Sequence, residues 1–174
     1  CVKRTCYCHD FEGEHVLQSR QVSMGTVGKL SDVFDLGWSR EDIARKQKED
    51  PELSAIYTAV VNGAEQPPWE SVALQSEKTK ILWSQWVRLS LQQGLLCQKW
   101  ESAVGNEISW QVILSTDVRK DFVKKVHEGM TGGHLGRAKT EVQVSRRAYW
   151  PGWKTDVAAV LKACAPCAQY QRGN

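Results

Sequence analysis

The sequence predicts a mainly α-helical chain with one small β-hairpin, divided into a helical extension and a compact C-terminal module of three helices. Three observations predict it. Apolar residues recur at helical spacing in successive segments, bounded by capping residues and by glycine or proline stops. Once, between Leu95 and Leu114, the period falls to two, as in strands. Near the C-terminus, His127 and His134 precede a helix-like run, residues 135–163, that ends in Cys164-Ala165-Pro166-Cys167.

Composition sets the outer bounds. A chain of 174 residues holds one ordinary domain, or a small domain with an extension. With 41% hydrophobic and 25% charged residues it has the balance of a globular chain rather than a disordered or collagen-like one. No apolar run is long enough to span a bilayer, and nothing resembles a signal peptide. The first residue is Cys1 rather than Met, so we expect a piece of a longer product.

The net charge of +3 is unevenly spread. Residues 1–116 carry 12 basic and 15 acidic side chains, whereas residues 117–174 carry 11 basic and 5 acidic. A basic C-terminal end fits a polyanionic partner such as nucleic acid; a solvated basic face fits the charge equally well.

Residues 1–38 show little periodicity and read as a linker. Cys1, Cys6, Cys8, His9 and His15 lie there, at a spacing that fits no closed tetrahedral metal site. The extension then runs over 39–116. Ser39 caps its first helix, with Glu41 and Asp42 in the first turn. Asp50-Pro51 predicts a fresh helix start with Pro51 at the first position, followed by Leu53, Ile56, Tyr57 and Val60 on one face. Asn62-Gly63 ends it, and Pro67-Pro68 keeps it from resuming.

A further helix is expected from about Ser76 to Leu91, with Leu82, Trp86 and Leu89 inward and Gly94 as the stop. Leu95–Trp100 and Ile108–Leu114 then read as a hairpin turning through Ala103–Glu107. Cys97, in its first strand, is a small packing residue. Trp83, Trp86, Trp100 and Trp110 are assigned to the core of this extension.

The C-terminal module occupies 117–174. Thr116 caps its first helix, whose inner stripe is Val118, Phe122, Val123 and Val126, with His127 at the end. Gly129, Gly132 and Gly133 let the chain reverse and return His134 beside His127. A helix over about Gly136–Arg147 and an aromatic turn, Trp150-Pro151-Gly152-Trp153, follow. The last helix starts at Thr155-Asp156 and places Val157, Val160, Leu161 and Cys164 on one face. Pro166 breaks it and frees Cys167 from helical geometry.

Neutral imidazole and thiolate are preferred ligands of tetrahedral zinc, and two of each close a structural site. His127, His134, Cys164 and Cys167 are therefore predicted to bind one structural Zn2+. A module this small gains from such a staple, because its own core is limited. Arg137, Lys139, Arg146, Arg147 and Lys154 are candidates for phosphate contact through a helix-turn-helix-like pair. Few base-reading side chains accompany them, so sequence-specific recognition is not expected. Trp150 and Trp153 are read as packing near the metal site rather than stacking on bases.

These residues carry a resemblance. His127-Glu128-Gly129, Gly133-His134-Leu135-Gly136, Lys139-Thr140, Tyr149-Trp150-Pro151-Gly152, Asp156-Val157 and the Cys164/Cys167 pair together resemble the HHCC zinc-binding domain of integrases from Ty3/gypsy-type LTR retrotransposons. Gln47 to Pro51, Gly94-Leu95-Leu96 and Gln111-Val112 resemble the extension that precedes that domain in the Pol polyprotein. The cysteine-bearing start is similar to the connection after RNase H.

The resemblance implies a zinc module that supports integrase multimer assembly and holds element DNA ends during integration. Its implied partners are those DNA ends and other integrase protomers, with no membrane and no small-molecule substrate. The implied location is intracellular, in the nucleus and a cytoplasmic particle. Integrase chemistry belongs to a separate core that follows the zinc domain in such proteins, so no catalytic residue and no turnover are expected here. The alternative is a host-adopted zinc domain acting between proteins without DNA.

Overall fold

A computed structural model describes residues 31–63, 65–101, 108–129 and 133–172. Cys1, Cys6, Cys8, His9, His15, Gly132 and the whole expected hairpin turn, Ala103–Glu107, lie outside the described residues. The order of elements is α1 (Ser31–Phe34), α2 (Arg40–Glu49), α3 (Ser54–Val61), α4 (Glu77–Ser84), β1 (Leu89–Gln92), β2 (Leu95–Glu101), β3 (Ile108–Ile113), α5 (Thr116–Glu128), α6 (Arg137–Arg147), β4 (Ala148–Tyr149), α7 (Trp153–Lys162) and α8 (Ala165–Arg172).

Helices dominate, but the β part is larger than a hairpin. It is a four-stranded mixed sheet in the order β1-β2-β3-β4. The expected hairpin is its centre, with Cys97 opposite Val112 in antiparallel register. The helix expected to reach Leu91 stops at Ser84, and Leu89–Gln92 pairs with β2 instead. Gln93 and Gly94 explain the difference. Both have positive φ, 53° and 82°, and join Gln92 to Leu95 as a two-residue turn of the primed type that matches strand twist. Leu82, Trp86 and Leu89 are all buried as expected, although Leu82 is α-helical, Trp86 opens a single 3-10 turn over Trp86–Arg88 and Leu89 begins β1.

The sheet separates two cores. On one face Leu95, Cys97 and Val112 meet Phe122, Val126, Val144, Trp150 and Val157. On the other, Leu96 and Ile113 meet Leu53, Ile56, Leu82 and Trp86. The first core therefore draws on both sides of residue 116. It also takes in Val33 of α1, which is fully buried, so the packed body starts before Ser39. Trp110 packs at the margin of the first core and Trp83 at that of the second, whereas Trp100 is 42% exposed and belongs to neither.

Two polar residues of α2 and its exit tie the helices to the sheet. Gln47 is fully buried where the β2–β3 ladder stops. Its amide donates to the carbonyls of Leu96 and Ile113 and accepts from Leu96 N–H. Asp50 accepts from Glu52 N–H and, at 2.5 Å, from Thr116 N–H. Pro51 thus lies in a turn, and α3 starts three residues later than expected, at Ser54. The cap of α5 also shifts by one residue, from Thr116 to Ser115, whose hydroxyl bonds Asp117 and caps no backbone amide. Asp50, from a distant segment, supplies the oxygen that a local cap would have offered.

Candidate metal centre

Each of the three helices α5, α6 and α7 packs on the other two, and the space they leave at one end collects the four predicted ligands. The α5 stripe, Val118, Phe122, Val123 and Val126, is buried as its spacing predicts. His127 continues it and is only 2% exposed. Gly129 then turns with φ of 62°, and His134 itself takes φ of 37°, which aims its ring back at α5. The returning strand is locked in place by Leu135, whose N–H donates to the His127 carbonyl at 2.7 Å.

The far side of the site is built by α7 and α8. Gly152, at φ of 84°, opens α7 after the aromatic turn. Trp150 is fully buried, meets Phe122 edge-on and donates its indole N–H to Asp156. Trp153 is half-buried at the core margin. Both tryptophans are packing residues. Pro166 does not release the chain from helical geometry. It sits in the first turn of α8, an element the sequence reading did not anticipate, where a missing N–H costs nothing. Ala168 N–H bonds the Cys164 carbonyl, so Cys164 to Cys167 forms one helical turn at the N-terminal end of α8. That end favours negative charge, which suits thiolates.

The ligand atoms converge. His134 Nδ1 lies 3.2 Å from His127 Nε2, Cys164 Sγ 3.3 Å from His134 Nδ1, and Cys167 Sγ 3.3 Å from His127 Nε2. All four atoms lie within 4.8 Å of one another. Nitrogen and sulfur ligands arranged tetrahedrally at normal zinc distances stand about 3.3–3.8 Å apart, so the cluster is near the size zinc needs. Partial desolvation and the adjacent Cys164 sulfur raise the Cys167 thiol above its ordinary pKa. A dication removes that repulsion and takes both sulfurs as thiolates.

The support around the ligands was not foreseen. His127 Nδ1 donates to the Leu135 carbonyl at 2.8 Å, which leaves the Nε2 lone pair free for metal. Thr140 donates to the same carbonyl and fixes the start of α6. Only the ligand types could be read from sequence, because this carbonyl is backbone and carries no residue signature. The four side chains fit a structural zinc site, and their two nitrogens and two sulfurs fill a tetrahedral sphere with no position left for substrate.

The five basic candidates divide. Lys139 and Arg146 are exposed on α6, on the side opposite buried Thr140 and Val144, and neither forms an ion pair among the described residues. Arg137 is exposed but bonded to Glu141. Arg147 folds back on Gln143, bonding its carbonyl and side-chain oxygens. Lys154 is exposed and stands over the Trp153 ring at 5.6 Å.

Residues 114–173 match the family model described as the integrase zinc binding domain. All four converging ligands fall inside that segment, which is similar to the integrase zinc binding domain and holds the side chains of a structural zinc site. No curated protein and no solved structure matches the chain.

Proposed function

We propose that this integrase-type zinc domain binds nucleic acid without sequence preference and supports assembly of integrase protomers during retroelement integration, in a parent protein of the Ty3/gypsy type. The observation that carries the reading is the outward face of α6. Lys139 and Arg146 stand one heptad apart there, on a helix whose start is pinned by the zinc ligands. Two exposed cations with no ion-pair partner among the described residues, on a fixed rod, suit successive phosphates, and such contacts give affinity rather than sequence discrimination. In this reading zinc supplies rigidity alone, and the partners are element DNA ends and other protomers. The working location is the nucleus and a cytoplasmic particle.

The second reading, a host-adopted domain acting between proteins, draws support from Val142. It is 47% exposed on the same helix, between the two cations. Binding of element-end DNA across a salt series separates the two. DNA binding predicts a steep slope that falls by about two when Lys139 and Arg146 are both changed to Gln. A flat series for the unmodified protein supports the protein-interaction reading instead.

A further inference from the structure

Cys164 and Cys167 share the metal site, and they also have the placement of a dithiol that can close on itself. The backbone bond from Ala168 to Cys164 makes this stretch one helical turn. Residues three apart in such a turn have Cα atoms about 5 Å apart, inside the 4.4–6.8 Å range that disulfides occupy. The sulfurs already lie within 4.8 Å of each other, and both side chains are partly exposed. Cys167 also lines an open groove with His127, Leu135, Arg137, Leu161 and Lys162, which gives small oxidants a route to its sulfur.

The other described thiol contrasts with this pair. Cys97 is fully buried between strands, and burial pushes its thiol far above the ordinary value. It offers neither thiolate nor access.

We infer that Cys164 and Cys167 form a redox switch, in which a peroxide-class oxidant joins them in a disulfide and the zinc is released. Cys167 thiolate attacks one peroxide oxygen, the O–O bond breaks, and hydroxide leaves to give a sulfenic acid. Cys164 thiolate then attacks the Cys167 sulfur, the S–S bond forms and a second hydroxide leaves. The two sulfurs together give up two electrons, and two protons from solvent complete two waters. Two imidazoles alone remain for the metal, too few to hold a structural zinc.

The packing makes this a local change. Among the described residues, no hydrophobic side chain from 133 to 139 or after Leu161 belongs to either hydrophobic core or packs against it. Oxidation therefore frees α8 from the two histidines, while the Leu135 bonds to His127 hold the start of α6 and Phe122, Val144, Trp150 and Val157 keep the helices on the sheet.

The test uses the zinc-loaded full chain, titrated with hydrogen peroxide. Zinc release is read with a chromogenic chelator, and the product by intact mass and peptide mapping. The expected result is zinc loss in step with loss of two hydrogens, mapped to a Cys164–Cys167 link. Dithiothreitol with added zinc reverses both, and helical circular dichroism falls by a minor part only. A variant with Cys1, Cys6, Cys8 and Cys97 all changed to Ser should behave the same way. Zinc release with oxygen added to the sulfurs instead of a disulfide overturns the inference. So does a link through any other cysteine, or release that requires global unfolding. DNA affinity does not enter the measurement, so the outcome is independent of the nucleic-acid reading.

Discussion

Gln47 shows how much one side chain can hold. Its fully buried amide satisfies three backbone groups of β2 and β3. Replacing it by Leu keeps the volume but strands those groups, at a cost of about 3 kcal/mol. Urea denaturation measures this, and an unchanged midpoint would show that the amide is dispensable. His134→Ala removes one of four ligands. Bound zinc in metal analysis should fall from one equivalent to almost none, with a thermal midpoint close to that of the chelator-treated parent.

Glu52 supplies a pH dependence. Burial alone would raise its pKa, but Arg119 and Lys78 more than offset this, and the carboxyl lies below its ordinary 4.5. A depressed folded-state pKa gives stability that is complete above the unfolded value and lost as pH falls through the folded one. The parent protein should therefore lose urea resistance below about pH 4.5 more steeply than Glu52→Gln. Parallel curves would remove Glu52 from the account.

At the scale of elements, the turn between β1 and β2 is the informative case. Gln93 carries a left-handed conformation that costs a side chain about 1 kcal/mol, and Asn tolerates it better. Gln93→Asn should raise the urea midpoint, and a lowered midpoint would contradict the turn assignment. The same turn marks what the sequence made legible. Leu82, Trp86 and Leu89 announce burial at helical spacing, and burial is what they have; their period does not separate a helix from a short helix running into a strand. Signals of local chemistry fared better, as with Ser39, whose hydroxyl accepts from Asp42 N–H at the start of α2. Signals with distant partners did not. Asp50 caps α5 from 66 residues away, and no local pattern announces that bond. The four ligands were legible because thiolate and imidazole at this spacing have few other uses. Pro166 misled because a proline that ends one helix can equally begin the next.

For the whole molecule, the boundary near residue 116 divides the sequence more cleanly than it divides the packing. Val118, Phe122 and Trp150 share a core with Leu95, Cys97 and Val112. Zinc-loaded 117–174 on its own should therefore show less helix and a lower urea midpoint than zinc-loaded 31–174. Equal midpoints would mean that the zinc module folds without the sheet.

The pairing of β3 with β4 has a consequence in time. It is parallel, setting Val112 against Ala148, with two helices between the partners. Such a closure spans a long loop, so its entropic cost is met before its contacts form, and it tends to come late in folding. During synthesis the hairpin of β2 and β3 emerges first and offers a prepared edge. The last metal ligand, Cys167, follows Ala148 by 19 residues. The ion is thus captured after the frame that positions it has been made, which limits the chance that an incomplete site closes on the wrong partner.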